Sequence, residues 1–154
     1  MKFPTITGSN LQRRKLAFPA DFAGRLNIAI VAFQQWQQVQ VNTWLPFVDQ
    51  LEQTYKGVVY YEFPVIRKMN IFSRTFINEG MRAGVPNTKS RERTVTFYID
   101  KAAFKETLDI PHEKDIYVLL IDSQGKVLWR TEGIFAPEKG EALEQIIQTV
   151  QREQ

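Results

Sequence analysis

Hydrophobic positions along the chain alternate between short apolar runs and longer amphipathic segments. The run at residues 26–33, LNIAIVAF, is typical of a strand that is buried on both faces. In residues 36–55 the apolar side chains recur three or four positions apart, which predicts a helix with one buried face. The same patterns predict strands at 58–63, 93–100, 115–122 and 126–131, and helices at 70–82, 101–108 and 137–150.

This order of elements predicts an α/β protein with a mixed central sheet flanked by helices. Ser123, Gln124 and Gly125 form a short turn, so the last two strands are expected to pair as an antiparallel hairpin. The length of 154 residues fits a single domain. Within it we expect an N-terminal extension with a hairpin at 1–25 and an inserted basic helix and loop at 64–93.

Composition removes several kinds of chemistry. The chain has no cysteine and one histidine, which excludes thiol nucleophiles, disulfides and metal sites built from thiolates or several imidazoles. We therefore expect neither a resident metal nor a cofactor. The N-terminus does not have the pattern of a signal peptide, and the sequence predicts a cytoplasmic protein, with membrane association as an open alternative.

The inserted region has the largest excess of positive charge along the chain. Residues 66–93 contain seven basic and two acidic residues, and Arg67, Arg74 and Arg82 are candidate partner-binding residues. One interpretation is a basic amphipathic helix that contacts an anionic membrane surface or a partner helix. The favoured interpretation packs the apolar residues of this helix on the sheet and turns the arginines to water. The apolar residues concerned are Phe72, Phe76 and Met81. A net charge of +3 without interleaved aromatic residues argues against a nucleic-acid partner.

A second candidate site lies where the first buried strand leads into its helix. Glutamines surround Trp36 there, and the candidate residues are Trp36, Gln37, Gln38 and Gln40. The carboxyl end of a strand beside a helix N-terminus is a common ligand-binding position in open α/β sheets. The cluster is therefore either a patch that binds a peptide or small ligand, or a solvated helix start, and the sequence alone leaves both open.

The chain resembles thioredoxin-fold proteins of the peroxiredoxin and thiol-oxidoreductase branch over nearly its whole length. The similar segments are FPTITGSNL, KLAFPADFAG, LNIAIVAFQQW and DIYVLLIDSQGKVLWRTEG. The redox families carry Cys-x-x-Cys directly after the tryptophan, and the matching positions here are Gln37 and Gln40. Their cis-proline position falls near Ile116. The resemblance therefore implies a thioredoxin-like fold without thiol-disulfide oxidoreductase or peroxidase activity.

Three shorter segments, NTWLPF, IYVLLID and KVLWRTEG, resemble the mitochondrial ATP-synthase assembly-factor family. This resemblance implies a role in assembling the membrane sector of that complex. The combined prediction is a redox-inactive protein that acts by binding another protein, as an assembly or chaperone-like factor for a membrane complex. The alternative is a cysteine-independent enzyme or small-ligand protein that uses a pocket around Trp36.

Overall fold

The computed structural model describes residues 1–85 and 87–153, which form one mixed seven-stranded sheet with helices on its two sides. The strands, in chain order β1 to β7, are Ile6–Asn10, Lys15–Phe18, Leu26–Ala32, Val58–Arg67, Val95–Ile99, Tyr117–Asp122 and Val127–Glu132. The α-helices, α1 to α5, are Gln38–Thr54, Ile71–Gly84, Thr88–Arg93, Lys101–Thr107 and Pro137–Arg152, and a 3₁₀ turn at Gln35–Gln37 precedes α1. The strand order is β2-β1-β5-β4-β3-β6-β7. The predicted α/β, thioredoxin-like fold is confirmed.

Strand β3 lies in the interior of the sheet, between β4 and β6, and its side chains are almost all apolar. It pairs in parallel with β4 and antiparallel with β6, and six of its seven residues are buried. On one face it meets α1 and α5, whose Trp44, Val48, Leu143 and Ile147 are fully buried in the same cluster. A run that is apolar on both faces can be stable only between two covering layers.

Aromatic side chains fill the other face of the sheet. Phe18 of the N-terminal hairpin lies 5.1 Å from Phe63 of β4 and 5.8 Å from Phe97 of β5, measured between ring centroids. Phe3 and Phe104 belong to the same cluster. Aromatic pairs at these distances contribute about 0.5–1.5 kcal/mol each beyond their area burial. The N-terminal segment is therefore part of the core.

The predicted N-terminal hairpin is present and extends the sheet. Strands β1 and β2 pair antiparallel, and β1 joins β5 through the pairs Ser9 with Thr96 and Asn10 with Val95. Gly8 makes this joint possible, because a Cβ there would lie 2.5 Å from the carbonyl oxygen of Thr96. Only a residue without a side chain permits such a close approach.

Two segments of the inserted region are more regular than the sequence predicts. Strand β4 runs on to Arg67, because Val65–Arg67 pairs with β5. Residues 88–93 form α3, which begins where the side chain of Asn87 accepts a hydrogen bond from the backbone N–H of Ser90 at 3.2 Å. Such a cap satisfies one of the free amides of a helix start. Pro86, also in the predicted irregular stretch, lies outside the described residues.

Helix α2 contradicts the favoured interpretation of its apolar face. The side chains of Phe72 and Phe76 are 84% and 82% exposed, and the helix contributes no buried residue to the core. The opposite side of the helix faces the protein, where Asn78 accepts a hydrogen bond from the Tyr98 hydroxyl at 2.7 Å. The sequence period correctly predicts a helix, but it cannot show which face contacts the protein.

Candidate functional site

Gln37 is a buried cross-link between two loops. Its side chain is fully buried, and its Oε1 accepts hydrogen bonds from the backbone N–H groups of Phe33 at 2.8 Å and Gln34 at 3.2 Å. Its Nε2 donates to the carbonyl oxygen of Glu113 at 2.6 Å. The amide therefore satisfies backbone groups at the end of β3 and in the loop before β6.

Gln40 makes the corresponding link one helical turn later. Its Oε1 accepts a hydrogen bond from the backbone N–H of Ile116 at 3.2 Å. Ile116 is the residue that the resemblance places at the cis-proline position of redox proteins. A proline has no N–H to donate. This hydrogen bond therefore requires glutamine instead of cysteine at position 40 and a residue other than proline at position 116.

A charged group strengthens the same junction. The carboxylate of Glu113 accepts from Lys105 Nζ at 2.7 Å, Lys101 Nζ at 3.0 Å and Gln34 Nε2 at 2.9 Å. Burial by itself raises the pKa of Glu113, but the hydrogen bonds and charges of Lys105 and Lys101 outweigh burial and hold it below its ordinary value. Glu113 is therefore held as a carboxylate. It ties α4 to the glutamine junction, by which we mean the hydrogen bonds of Gln37 and Gln40 to the end of β3 and to the loop before β6.

Trp36 and Gln38 remain at the surface. Trp36 is 58% exposed, and Gln38 Nε2 donates to Asn42 Oδ1 at 2.9 Å. A second acceptor of Gln38, at 3.4 Å, is the carboxyl of Glu62, whose pKa is raised by burial. Two shallow clefts of the described chain lie elsewhere, one beside Tyr55 and Gln148 and one between the N-terminal hairpin and α2.

The three candidate arginines have three different surroundings. Arg67 is exposed at the end of β4. The guanidinium of Arg74 lies 5.3 Å from the ring centroid of Tyr98, at the distance of a cation–π contact. Arg82 lines the cleft between the hairpin and α2. Among the described residues, no helix combines the length and the apolar character needed to cross a membrane.

Sequence reasoning named the exposed side chains of α2 but assigned them to the core. Ile71, Phe72 and Phe76 together form the apolar surface of α2, each of them more than half exposed. The sequence contains no signal against that assignment, because the charged residues of α2 lie within less than half of the helix circumference and leave a broad stripe free of charge. These residues are Arg74, Glu79 and Arg82. A helix that packs on a sheet normally keeps charge off one broad stripe.

This arrangement is that of a thioredoxin-fold protein whose redox position is closed by amide hydrogen bonds instead of holding a thiol pair. Solved structures support the fold. The exposed lipoprotein thioredoxin (Etrx1) of Streptococcus pneumoniae superposes with a TM-score of 0.61 at 13% identity, over 95% of this chain and 99% of that one. A thiol-disulfide oxidoreductase from Bacteroides fragilis gives 0.59 at 13% identity, over 95% and 99%. A thioredoxin-family thiol:disulfide interchange protein from Chlorobium tepidum gives 0.56 at 14% identity, over 97% and 94%.

The sequence identifies the family more narrowly than the fold does. The ATP10 protein family matches residues 1–151, so the chain belongs to the ATP10 family of ATP-synthase assembly factors. The predicted resemblance to that family is confirmed. No curated protein matches the sequence. The structural neighbours carry thiol-disulfide names, but identities this low show only the shared fold.

Proposed function

We propose that this protein is a redox-inactive assembly factor that binds an apolar segment of a membrane-sector subunit of ATP synthase on the apolar surface of α2. The observation that carries the proposal is the exposure of Phe72 and Phe76 on a helix without buried residues. Burying one such side chain against a partner stabilises a complex by about 1.5–3 kcal/mol. Folding of the chain alone does not use that energy.

The surroundings of α2 favour a protein partner. Arg67 and Lys68 are exposed immediately before the helix, so cations flank the apolar surface. An apolar segment with acidic residues at its end has complementary chemistry. Family membership points to ATP synthase as the complex, and its membrane-spanning subunits must carry long apolar segments that an exposed apolar surface can cover before assembly. The predicted peripheral contact with the membrane itself stays a prediction.

The redox position supports a role without thiol chemistry. With no cysteine in the chain, no thiolate is available to attack a disulfide. Gln37 and Gln40 use their amides within the fold, which leaves Trp36 and Gln38 as the exposed members of the four candidate residues. The alternative of a small-ligand pocket at Trp36 therefore has little support from the geometry.

Capture of detergent-solubilised membrane-sector subunits by the immobilised full chain tests the proposal. We expect the double variant Phe72→Ser, Phe76→Ser to reduce capture at least tenfold, because both aromatic anchors are removed. Val39→Ser is the matched control, since Val39 is 73% exposed on α1, and this variant should capture normally. Equal capture by the double variant and the unaltered chain would overturn the proposed surface.

A third variant separates the two candidate sites. Trp36→Ser removes the exposed aromatic residue of the glutamine cluster without touching its buried hydrogen bonds. If Trp36→Ser abolishes capture while the double variant of α2 does not, the binding surface is the glutamine cluster and the assignment to α2 is wrong.

A further inference from the structure

The cleft between the N-terminal hairpin and α2 is lined mainly by polar and charged side chains. It is open to solvent and has a volume of about 200 Å³, which leaves room for more than a single water molecule. Thr75, Asn78, Glu79 and Arg82 line it from α2. Their spacing of three and four residues places them along one stripe of the helix, beside the stripe that exposes Phe72 and Phe76. Ser9 and Arg13 line it from the hairpin.

The charges in this cleft do not cancel. Arg13 makes a two-point contact with Glu79, from Nε to Oε1 at 2.7 Å and from Nη2 to Oε2 at 3.1 Å. The hydrogen bond from Arg13 is the largest cause that lowers the pKa of Glu79, and the charges of Arg82 and Arg91 lower it further. Glu79 is therefore held as a carboxylate that balances Arg13, and the positive charge of Arg82 is left over.

Arg82 also has an unused donor. Its Nε is buried and has no hydrogen-bond partner among residues 1–85 and 87–153. A buried donor without a partner is destabilising, and one on a charged group more so. Arg91 adds a second cation close by, because its guanidinium donates to the carbonyl oxygens of Arg82, at 2.9 Å, and Val85.

The remaining groups of the cleft are donors from several directions. Because Asn78 Oδ1 accepts the hydrogen bond from the Tyr98 hydroxyl, the group that Asn78 can offer a ligand is its NH₂. Ser9 of β1 and Thr75 of α2, which also line the cleft, carry hydroxyls. A guanidinium, an amide NH₂ and two hydroxyls suit a ligand with several acceptor oxygens and negative charge.

We infer that this cleft binds a phosphate group, with Arg82 as its principal cation and Asn78, Thr75 and Ser9 as further donors. Free phosphate, a phosphorylated small molecule and an anionic phospholipid headgroup share this chemistry. The site is separate from the apolar surface of α2, although both lie on the same helix. The phosphate site does not depend on the proposed function, because phosphate binding needs no protein partner.

Titration of the ¹⁵N-labelled full chain with sodium phosphate, at constant ionic strength set by sodium chloride, tests the inference by amide shifts. We expect saturable shifts at Ser9, Thr75, Asn78 and Arg82, and at least a tenfold weaker affinity for Arg82→Gln. Arg67→Gln, which changes an exposed cation outside the cleft, is the matched control and should retain affinity within twofold. Thr75→Val, at an exposed position, should weaken phosphate binding severalfold. This second variant keeps the inference testable if Arg82→Gln does not fold.

The outcomes are distinct. Absence of saturable shifts would overturn the inference. Equal losses of phosphate affinity in Arg67→Gln and Arg82→Gln would also overturn it, because they would show only a diffuse attraction of anions. Saturable binding of phosphate supports it. Co-sedimentation with phosphatidylcholine vesicles, with and without phosphatidylglycerol, then assigns the source: Arg82-dependent binding only to the anionic vesicles points to a lipid headgroup, and no vesicle binding points to a free phosphate compound.

Discussion

Gln37 and Gln40 show how far the sequence alone reaches at the scale of single residues. Their positions follow from the alignment of the first buried strand and Trp36 with redox families. Their roles do not, because the partners Glu113 and Ile116 each lie 76 positions away in the chain. Nothing local in the sequence distinguishes a buried glutamine from the exposed Gln38 beside it.

Replacing Gln37 with alanine tests its role as a cross-link. Gln37→Ala leaves the backbone N–H groups of Phe33 and Gln34 without their acceptor and creates a cavity, so we expect the free energy of unfolding to fall by about 2–4 kcal/mol. Urea denaturation followed by circular dichroism gives this value. The neighbouring Gln38→Ala should change it by less than about 0.5 kcal/mol. Equal effects of the two substitutions would contradict the cross-link.

At the scale of elements, periodicity predicts where helices and strands form better than it predicts what they contact. Helix α2 spans Ile71–Gly84, close to the predicted 70–82, yet its phenyl rings face outward. Strand β1 likewise joins β5 and thereby links the N-terminal hairpin to the sheet. This pairing between residues more than 80 positions apart has no local signal. Contacts between distant segments depend on shapes that a single-sequence pattern does not encode.

The joint between β1 and β5 depends on Gly8. In Gly8→Ala the new methyl group would meet the Thr96 carbonyl at 2.5 Å and the Phe97 ring at 2.8 Å, so the hairpin must shift and we expect a loss of about 1–3 kcal/mol in unfolding free energy. Gly80→Ala in α2 is the control. No atom lies within 4 Å of a Cβ there, and the substitution should stabilise the protein by about 0.5–1 kcal/mol. Thermal unfolding of both variants measures the difference, and a neutral Gly8→Ala would show that the joint is loose.

For the whole molecule, the sequence predicts the layered α/β architecture because the doubly apolar strand and the amphipathic helices leave few other arrangements. It does not predict how distant charged segments meet. Lys101 and Lys105 of α4, Glu113 of the following loop and Gln34 after β3 form one connected group. This group joins three parts of the chain around Gln37 and Gln40.

The stability of the molecule in acid should depend on this group. The pKa of Glu113 is lowered in the folded protein. Its contribution to the free energy of unfolding is therefore complete above the ordinary pKa of a glutamate, and it is lost as the pH falls through the lowered pKa. We expect Glu113→Gln to reduce the unfolding free energy by about 1–2 kcal/mol at neutral pH. The difference from the unaltered chain should shrink toward pH 3. Glu106→Gln, exposed on α4, should show no such trend in urea denaturation across pH. A difference for Glu113→Gln that is independent of pH would contradict the assignment.

The closed glutamine junction also limits which substitutions position 37 tolerates. A thiol is a weak donor and a weak acceptor, so a cysteine at position 37 would abandon the three hydrogen bonds of the Gln37 amide. Gln37→Cys alone would thus weaken the fold before a second cysteine at position 40 could supply any chemistry. Installing a thiol pair at positions 37 and 40 therefore requires concerted change in the loop that holds Glu113 and Ile116.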